Sequence, residues 1–317
     1  MRISIVIPTK DREKSLIECV LSIKNQTFLP YEVLVIDDGE IKKETKIFLK
    51  KELEKKGIIF RYFKKEKPSL ARSKNLGAKK SQGEIILFLD DDVVLEKDYL
   101  ENLVKVWERE ENNQKLAGVS GLMKNASRKS FFEKIFLKLF FLSSKKSWAI
   151  LPWGYQVWNH EIKKEEKADW IPGGISSFRK EIFKEFQFKE LQPGRTALED
   201  LEFCWQIKKK GYFFIITPQA KLLHKEEMQG KEKAFISGFK EGYNRCLIFS
   251  LHAKKTFKNY LIFIIASFGW VLRQFLGSFW EPRYFFYHFF YGLGLIKGKI
   301  YFLKNSLHKK LQSKIIK

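Results

Sequence analysis

The sequence predicts an α/β protein with a mixed, mostly parallel β-sheet flanked by helices, followed by an aromatic helical extension at the C-terminus. Apolar runs typical of strands alternate with helical periodicities through the first half of the chain. These runs are continuously apolar, as in strands buried on both faces. After about residue 230 the composition changes, and long uncharged aromatic runs begin.

The elements of the first half follow from hydrophobic periodicity and from glycine stops. Strands are predicted over residues 3–7, 32–36, 58–62 and 84–89, and helices over residues 13–25, 42–55 and 70–81. A turn and a short strand are expected over residues 170–178, and a helix over residues 198–210. A further strand is expected over residues 212–217, after which Leu222, Leu223 and His224 follow a short connection. This pattern predicts one domain over residues 1–228 and a helical, membrane-associating region over residues 229–317.

Two segments raise the question of a membrane. Residues 131–142 form an amphipathic helical pattern, which is compatible with a core helix or with a helix in a membrane interface. The apolar runs at residues 260–272 and 285–296 are each shorter than the roughly 20 residues that a spanning helix needs. A longer span over residues 260–280 would bury Arg273, at a cost of about 2.5–3.5 kcal/mol. Surface-lying or re-entrant helices are therefore expected first, and a tilted spanning hairpin second.

The formal net charge of +23 predicts an anionic partner, which could be nucleic acid, a membrane surface or a phosphorylated substrate. The 30 phenylalanines, together with many lysines, favour an anionic membrane surface. The three cysteines have no paired or metal-ligand spacing, which favours a reducing compartment. The chain begins directly with a strand and shows no signal peptide. We therefore expect a peripheral or monotopic protein on the cytoplasmic side of the cell membrane.

The triplet Asp90-Asp91-Asp92 directly follows the predicted strand at residues 84–89. Adjacent carboxylates repel one another in a confined site unless a cation offsets their charge. A divalent metal that carries phosphates is one interpretation, and a solvated acidic turn is the other. Asp11 and Asp37 also follow strand ends, and ligands of such sheets bind beyond the carboxyl ends of the strands. This placement favours a functional site.

Five motifs follow one another along the chain: ISIVIPTKDR at residues 3–12, VLVIDDG at 33–39, KNLG at 74–77, FLDDD at 88–92 and LEDLEF at 198–203. In this order they resemble the motifs of family 2 glycosyltransferases with the GT-A fold, and the resemblance extends over about residues 1–228. It implies a metal-dependent, inverting transfer of a sugar from a nucleoside-diphosphate sugar, with UDP favoured, to an acceptor hydroxyl. The expected acceptor is a lipid-linked or cell-envelope glycan. No QxxRW-type motif follows Asp200, which favours a single transfer over processive synthesis.

The resemblance also implies roles for individual residues. Mg²⁺ or Mn²⁺ would be held by Asp90 and Asp92, with His224 either a third ligand or a structural residue. Asp200 is the expected general base, with Glu199 second. The sugar or acceptor would approach Trp170, Gly173 and Gly174, unless these residues only form a tight turn. The nucleotide would be bound by Pro8, Thr9, Asp11, Arg12, Asp37, Lys74, Asn75, Asp90 and Asp91.

Two residues depart from the family pattern, and two other functions were considered. Asp11 is charged where the family more often has an uncharged residue, and Lys74 stands where the family usually has Arg. A nucleotidyltransferase would usually carry a Gly-rich loop after the first strand, which residues 8–12 lack. A nucleic-acid-binding protein fits the charge, but the lysines are spread along the chain and no recognition module is visible. No nucleic-acid partner is therefore expected.

Overall fold

A computed structural model describes residues 1–192, 197–225, 230–280 and 282–315. Its strands are β1 (Ile3–Thr9), β2 (Glu32–Asp37), β3 (Ile59–Lys64), β4 (Ile85–Leu89), β5 (Val93–Leu95), β6 (Leu116–Met123), β7 (Ala149–Ile150), β8 (Gln156–Val157), β9 (Glu166–Ala168), β10 (Ile175–Arg179) and β11 (Phe213–His224). Its helices are α1 (Glu13–Lys24), α2 (Lys43–Glu54), α3 (Leu70–Lys80), α4 (Tyr99–Arg109), α5 (Phe131–Leu139), α6 (Ile182–Glu185), α7 (Glu199–Lys209), α8 (Lys231–His252), α9 (Phe257–Trp280) and α10 (Phe285–Ile315), with a 3₁₀ turn at Pro282–Tyr284.

The main sheet has the strand order β3-β2-β1-β4-β10-β6-β11-β5, and β9 pairs with β11. Strands β3, β2, β1 and β4 run parallel, whereas β10 lies antiparallel between β4 and β6. β11 runs parallel to β6 and antiparallel to β5 and β9. The predicted α/β class, with a mixed sheet flanked by helices, is confirmed.

The helices cover both faces of this sheet. Side chains of α1, α2 and α4 form one apolar core with the strands, and side chains of α3 and α7 form a second core on the opposite face. The three cysteines lie buried as free thiols, which agrees with their lack of paired spacing. The central strands are buried along their whole length, which explains their continuously apolar sequences.

β11 differs from the prediction. The sequence suggested a strand over residues 212–217 and a separate segment at residues 222–224. The structure has one strand to His224, with a register shift between Ile216 and Lys221. A bulge lets a strand continue past an irregular segment, and here it carries His224 into a pair with Val93 of β5. His224 is thereby fixed next to the residues that follow β4.

Helix α5 exposes apolar side chains. Phe131 is 72% exposed and Phe132 is 77% exposed, so the interpretation of residues 131–142 as a core helix does not hold for this part of its surface. On another side, Phe140 contacts Phe268 of α9, and Arg273 of α9 pairs with Glu133 at 2.6 Å. The helix ends at Leu139, three residues before the predicted end. α5 therefore packs against α9 and leaves an aromatic surface open.

The C-terminal extension is helical, as predicted. Within the described ranges, Phe257–Phe279 of α9 is long and apolar enough to cross a membrane by length and composition alone. α9 continues through Arg273, where the uncharged run ends, and the Arg273 guanidinium donates to Glu133. The predicted domain boundary between residues 228 and 229 lies outside the described residues and stays a prediction.

Helices α8 and α10 meet at two matching glycine pairs, Gly238 and Gly242 on α8 and Gly294 and Gly298 on α10. A Cβ at Gly238 or Gly242 would overlap backbone oxygens of α10, and a Cβ at Gly294 or Gly298 would overlap backbone oxygens of α8. Residues without a side chain at positions i and i+4 let two helix backbones approach closely. This glycine spacing was not among the sequence predictions, although it is readable as GxxxG in both segments.

We expect Gly242→Ser to destabilise the C-terminal region, because its Cβ would overlap the carbonyl oxygen of Leu295. Overpacking of this kind costs on the order of 1–3 kcal/mol. The matched control is Gly230→Ser, since a Cβ at Gly230 meets open space. Thermal unfolding should show a lower Tm for Gly242→Ser than for Gly230→Ser. Equal midpoints would show that α8 and α10 do not depend on this close approach.

Candidate active site

The candidate site lies where the carboxyl ends of β1 and β4 meet the start of β10. β1 and β4 are parallel neighbours, so the residues after both strands share one edge of the sheet. β10 runs the opposite way beside β4 and pairs Ile175 with Leu89. This register places Gly174 against Asp90, whose backbone N–H donates to the Gly174 carbonyl at 2.8 Å. Three separate parts of the sequence are thereby joined.

Asp90, Asp92 and His224 form a cluster at this edge. Each offers one ligand atom, and these atoms lie within 4.8 Å of one another. His224 Nε2 lies 3.1 Å from Asp92 Oδ1, and the backbone of His224 exchanges two hydrogen bonds with the side chain of Asn125. Carboxylate and imidazole ligands fit Mn²⁺, and carboxylates fit Mg²⁺. The three residues predicted as metal ligands are therefore brought together.

Asp91 points toward the loop after β1. Thr9 Oγ1 donates to Asp91 Oδ2 at 2.7 Å, and Arg12 Nη2 lies 2.8 Å from Asp91 Oδ1. Arg12 also pairs with Asp92. Burial raises the pKa of Asp91 to about 6, against the opposing effects of Thr9 and Arg12. At Asp92 burial acts in the same direction, but the hydrogen bond and charge of His224 and the charge of Arg12 outweigh it and lower the pKa.

The loop after β2 is organised by Asp37. Its side chain is fully buried, and its oxygens accept hydrogen bonds from the N–H groups of Gly39 at 2.8 Å and Ile41 at 3.1 Å. The hydroxyl of Tyr62 donates to the same carboxylate at 2.6 Å. Asp11, with a positive φ of 55°, accepts from the N–H of Glu40 at 2.9 Å. Asp37 and Asp11 thus shape the loop beside β1, and their nucleotide contacts stay predictions.

Lys74 and Asn75 of α3 are both engaged within the protein. Lys74 is buried, and its Nζ lies 3.0 Å from Glu199 Oε1. Burial disfavours the charged ammonium, but Glu199, Asp90 and Asp200 outweigh this and raise the pKa of Lys74. Asn75 exchanges two hydrogen bonds with the backbone of Phe188, at 2.8 and 3.0 Å. Lys74 therefore places a positive charge near Glu199, Asp90 and Asp200. Asn75 holds the backbone at Phe188 against α3.

Asp200 lies in the first turn of α7, beside the glycine pair. Its carboxylate accepts hydrogen bonds from the N–H of Gly173 at 3.2 Å and of Leu201 at 2.7 Å. Burial and the charge of Glu199 raise the pKa of Asp200 to about 6, although Lys74 and the two N–H groups oppose this. A carboxylate with a pKa near neutrality is suited to accept a proton and release it again.

The two glycines allow a close approach of three chain segments. A Cβ at Gly174 would overlap the carboxylate of Asp90, and a Cβ at Gly173 would crowd Lys74 and Asp200. The segment 173–174 thus connects the metal-ligand cluster, through Asp90, with the candidate base Asp200. Residues 173 and 174 lie in a turn, as one of the two predicted alternatives has it, and the same turn makes both contacts. Whether sugar or acceptor lies on these glycines stays a prediction.

Trp170 is buried beside this segment. Its Nε1 donates to the carbonyl of Val157 at 2.9 Å, and its ring contacts Trp148 and Trp158 at centroid distances of 5.3 and 6.3 Å. The structure therefore shows Trp170 as part of an aromatic framework. Its predicted contact with sugar or acceptor stays untested.

Glu202 was missed by the sequence analysis. It is fully buried one turn after Glu199 and contacts Lys189 at 2.7 Å and His252 of α8 at 2.9 Å. The available signal was the third acid in Glu199-Asp200-Leu201-Glu202, on the same face of α7 as Glu199. Glu202 ties the helix that carries Asp200 to the C-terminal extension.

Comparison with known proteins agrees with this geometry. Residues 4–151 match the family model described as glycosyl transferase family 2. An uncharacterized glycosyltransferase of Rickettsia felis is 37% identical over 115 residues, which cover 35% of this chain and 18% of the relative. A Campylobacter jejuni relative, named GalNAc(5)-diNAcBac-PP-undecaprenol beta-1,3-glucosyltransferase, is 31% identical over 163 residues, which cover 46% of this chain and 52% of the relative. This chain thus spans only part of the length of these relatives.

Among solved structures, a mannosyltransferase from Pyrobaculum calidifontis in complex with GDP-Man and Mn²⁺ superposes with a TM-score of 0.59. The superposition covers 94% of this chain and 86% of the other at 15% identity, so it shows a shared fold alone. Residues 4–151 are thus similar to glycosyltransferase family 2, and the chain shares its fold with this solved mannosyltransferase.

Proposed function

We propose that this chain is a metal-dependent, inverting glycosyltransferase that moves one sugar per encounter from a nucleoside-diphosphate sugar to an acceptor hydroxyl. The observation that carries the proposal is the double contact of residues 173–174. Gly174 bonds to Asp90 of the metal-ligand cluster, and Gly173 bonds to Asp200. A divalent cation site and a proton acceptor thereby flank one short backbone segment.

The cluster fits a divalent cation. Asp90, Asp92 and His224 would hold Mg²⁺ or Mn²⁺, which would neutralise the charge of the leaving diphosphate. Arg12, which contacts both Asp91 and Asp92, offsets the negative charge of these two neighbouring carboxylates. Uracil is the proposed base, on the ground that Asp37 occupies the position of the family's base-recognising acid.

Asp200 is the proposed general base. The acceptor oxygen forms a bond to the anomeric carbon while the bond from that carbon to the diphosphate oxygen breaks, and the acceptor proton passes to the Asp200 carboxylate. A single displacement from the face opposite the leaving group inverts the anomeric configuration. Glu199 is bound to Lys74, which leaves Asp200 as the better-placed carboxylate.

The proposed acceptor is a lipid-linked or cell-envelope glycan at the cytoplasmic face of a membrane. Support comes from the charge of +23 and from the exposed aromatic side chains of α5 and α9. The name of the Campylobacter jejuni relative includes an undecaprenol-linked glycan, which is the same class of acceptor. We propose that α9 lies on the membrane, because Arg273 within it pairs with Glu133 of α5. An anionic bilayer surface would attract the lysines.

We expect His224→Ala to weaken Mn²⁺ binding by roughly tenfold or more, since ligand losses exceed the 10–100-fold typical of outer-shell changes. Isothermal titration of Mn²⁺ in the presence of UDP measures this affinity. Asp200→Asn serves as the control, because Asp200 is not part of the cluster. Unchanged affinity in His224→Ala would remove His224 from the metal site.

We expect Asp200→Asn to lower transfer about 10²–10⁴-fold while nucleotide affinity stays close to that of the wild type. In the wild type, kcat/KM should rise as the pH increases through about 6, because only ionised Asp200 accepts a proton. Asp91 also has a pKa of about 6. If Asp200 causes the rise in kcat/KM, the residual activity of Asp200→Asn should no longer rise through this pH range. Release of nucleoside diphosphate from a sugar-nucleotide panel with lipid extract is the measurement. Wild-type turnover by the variant would exclude Asp200 as the base.

We expect the full chain to float with liposomes that contain anionic lipid, and Phe131→Ser/Phe132→Ser to bind them at least tenfold more weakly. Burial of two aromatic side chains contributes on the order of 3 kcal/mol or more. The matched control is Ile47→Ser/Phe48→Ser, which changes another exposed adjacent pair, on α2. Equal losses in both variants, or no flotation of the wild type, would contradict the proposed membrane surface.

A further inference from the structure

A cavity of about 240 Å³ lies under α5, away from the metal-ligand cluster, and is lined by Lys129, Lys134, Trp158 and His160 among others. A smaller hollow of about 20 Å³, which has room for about one water molecule, shares Lys129 and Trp158 with this cavity and reaches Trp270 and Arg273 of α9 and Arg245 of α8. The linings of the cavity and of the smaller hollow therefore both combine cationic side chains with aromatic rings. The acids among these lining residues are Glu133 and Glu161, fewer than the cations.

Lys129 is the central cation of this cavity. Its ammonium lies over the ring of Trp158 at 5.2 Å from the centroid and donates to the carbonyl oxygen of Trp158 at 2.5 Å. Burial lowers the pKa of Lys129, and Arg273 acts in the same direction against Glu133. A partly dehydrated ammonium next to a second cation is stabilised when an anion binds beside it.

Two further donors line the hollow without a partner. The indole Nε1 of Trp270 and the Nε of Arg245 are buried and have no hydrogen-bond partner among the described residues. A buried polar donor left unsatisfied costs free energy that an acceptor in the hollow would recover. The guanidinium of Arg273 lies 5.3 Å from the ring centroid of Trp270, and both its Nε and Nη2 donate to Glu133.

The cavity lies between the candidate active site and the exposed aromatic surface. On one side Trp158 contacts Trp170, three residues before the Gly173 that bonds to Asp200. On the other side, Glu133 and Arg273 belong to α5 and α9, the helices that expose apolar side chains. A ligand seated here would present an anionic group to the cations and an apolar chain to these helices.

We propose that this cavity binds the phosphate or diphosphate group that joins lipid to glycan in the acceptor, with the lipid chain along α5 and α9. The proposal rests on the proposed function, since it specifies the class of acceptor. Lys129 and Lys134 line the cavity and supply charge, and one phosphate oxygen would reach into the smaller hollow toward Arg273 and Trp270. Charge-assisted hydrogen bonds from such groups are stronger than neutral ones and favour phosphate oxygens.

Titration of the full chain in decyl maltoside micelles with decyl phosphate, followed calorimetrically, tests the site directly. We expect Lys129→Gln to weaken binding about tenfold or more, as expected for loss of a charged hydrogen-bond partner. Glu133→Gln should tighten binding several-fold, because it removes a negative charge and releases Arg273. Lys138→Gln is the control, since Lys138 is an exposed lysine of the same helix outside the cavity lining.

Opposite effects of Lys129→Gln and Glu133→Gln support the site, because damage to the fold would weaken binding in both variants. Equal affinities of the wild type and both variants would overturn it. So would equal binding of short-chain phosphatidylglycerol, which would assign the cavity to a bilayer phospholipid. If no sugar nucleotide is turned over but the opposite effects persist, the phosphate site stands and the proposed function fails. If sugar transfer occurs and Lys129→Gln leaves the KM for the acceptor unchanged, the phosphate-site proposal fails while the proposed function stands.

Discussion

The repulsion within Asp90-Asp91-Asp92 is the constraint on which the site depends. Carboxylates a few ångströms apart in a partly buried place disfavour one another by roughly several kcal/mol unless positive charge is near. The fold supplies that charge through Arg12 after β1, and it brings His224 at the end of β11 to 3.1 Å from Asp92. The three acids thereby separate into different environments, with Asp91 turned toward Thr9 and Asp92 shared between Arg12 and His224.

The direction of β10 in the sheet brings the candidate base Asp200 close to the residues that follow β4. Because β10 lies antiparallel beside β4, the residues before β10 meet the residues after β4. Glycines at 173 and 174 leave room for Asp90 on one side and for Lys74 and Asp200 on the other. Buried Lys74 then lowers the electrostatic cost of Glu199 and Asp200 near the cluster. The candidate metal ligand Asp90 and the candidate base Asp200 thus both contact one short backbone segment.

Much of this arrangement could be predicted from the sequence, since continuous apolar strands and the acids after them are local patterns. The parallel strands through β4 and the position of Asp90, Asp91 and Asp92 after β4 are examples, whereas the role of His224 was implied only by the family resemblance. Contacts between segments that are far apart in sequence could not be predicted from such local patterns. The bulge that extends β11, the engagement of Asn75 with Phe188 and the pairing of Glu133 with Arg273 depend on contacts between segments far apart in sequence. The close contact of α8 and α10 had a local signal in its glycine spacing.

The central claim is that Asp90, Asp92 and His224 hold a divalent metal ion that binds the diphosphate of the nucleotide. Pulsed electron paramagnetic resonance of Mn²⁺ bound to the full chain with UDP reports the nuclei around the metal. We predict that one bound Mn²⁺ shows both a coupling to an imidazole nitrogen and a coupling to phosphorus. In His224→Ala, only the nitrogen coupling should be lost. Phosphorus coupling without nitrogen coupling in the wild type would contradict it, because the metal would then bind the nucleotide outside this cluster.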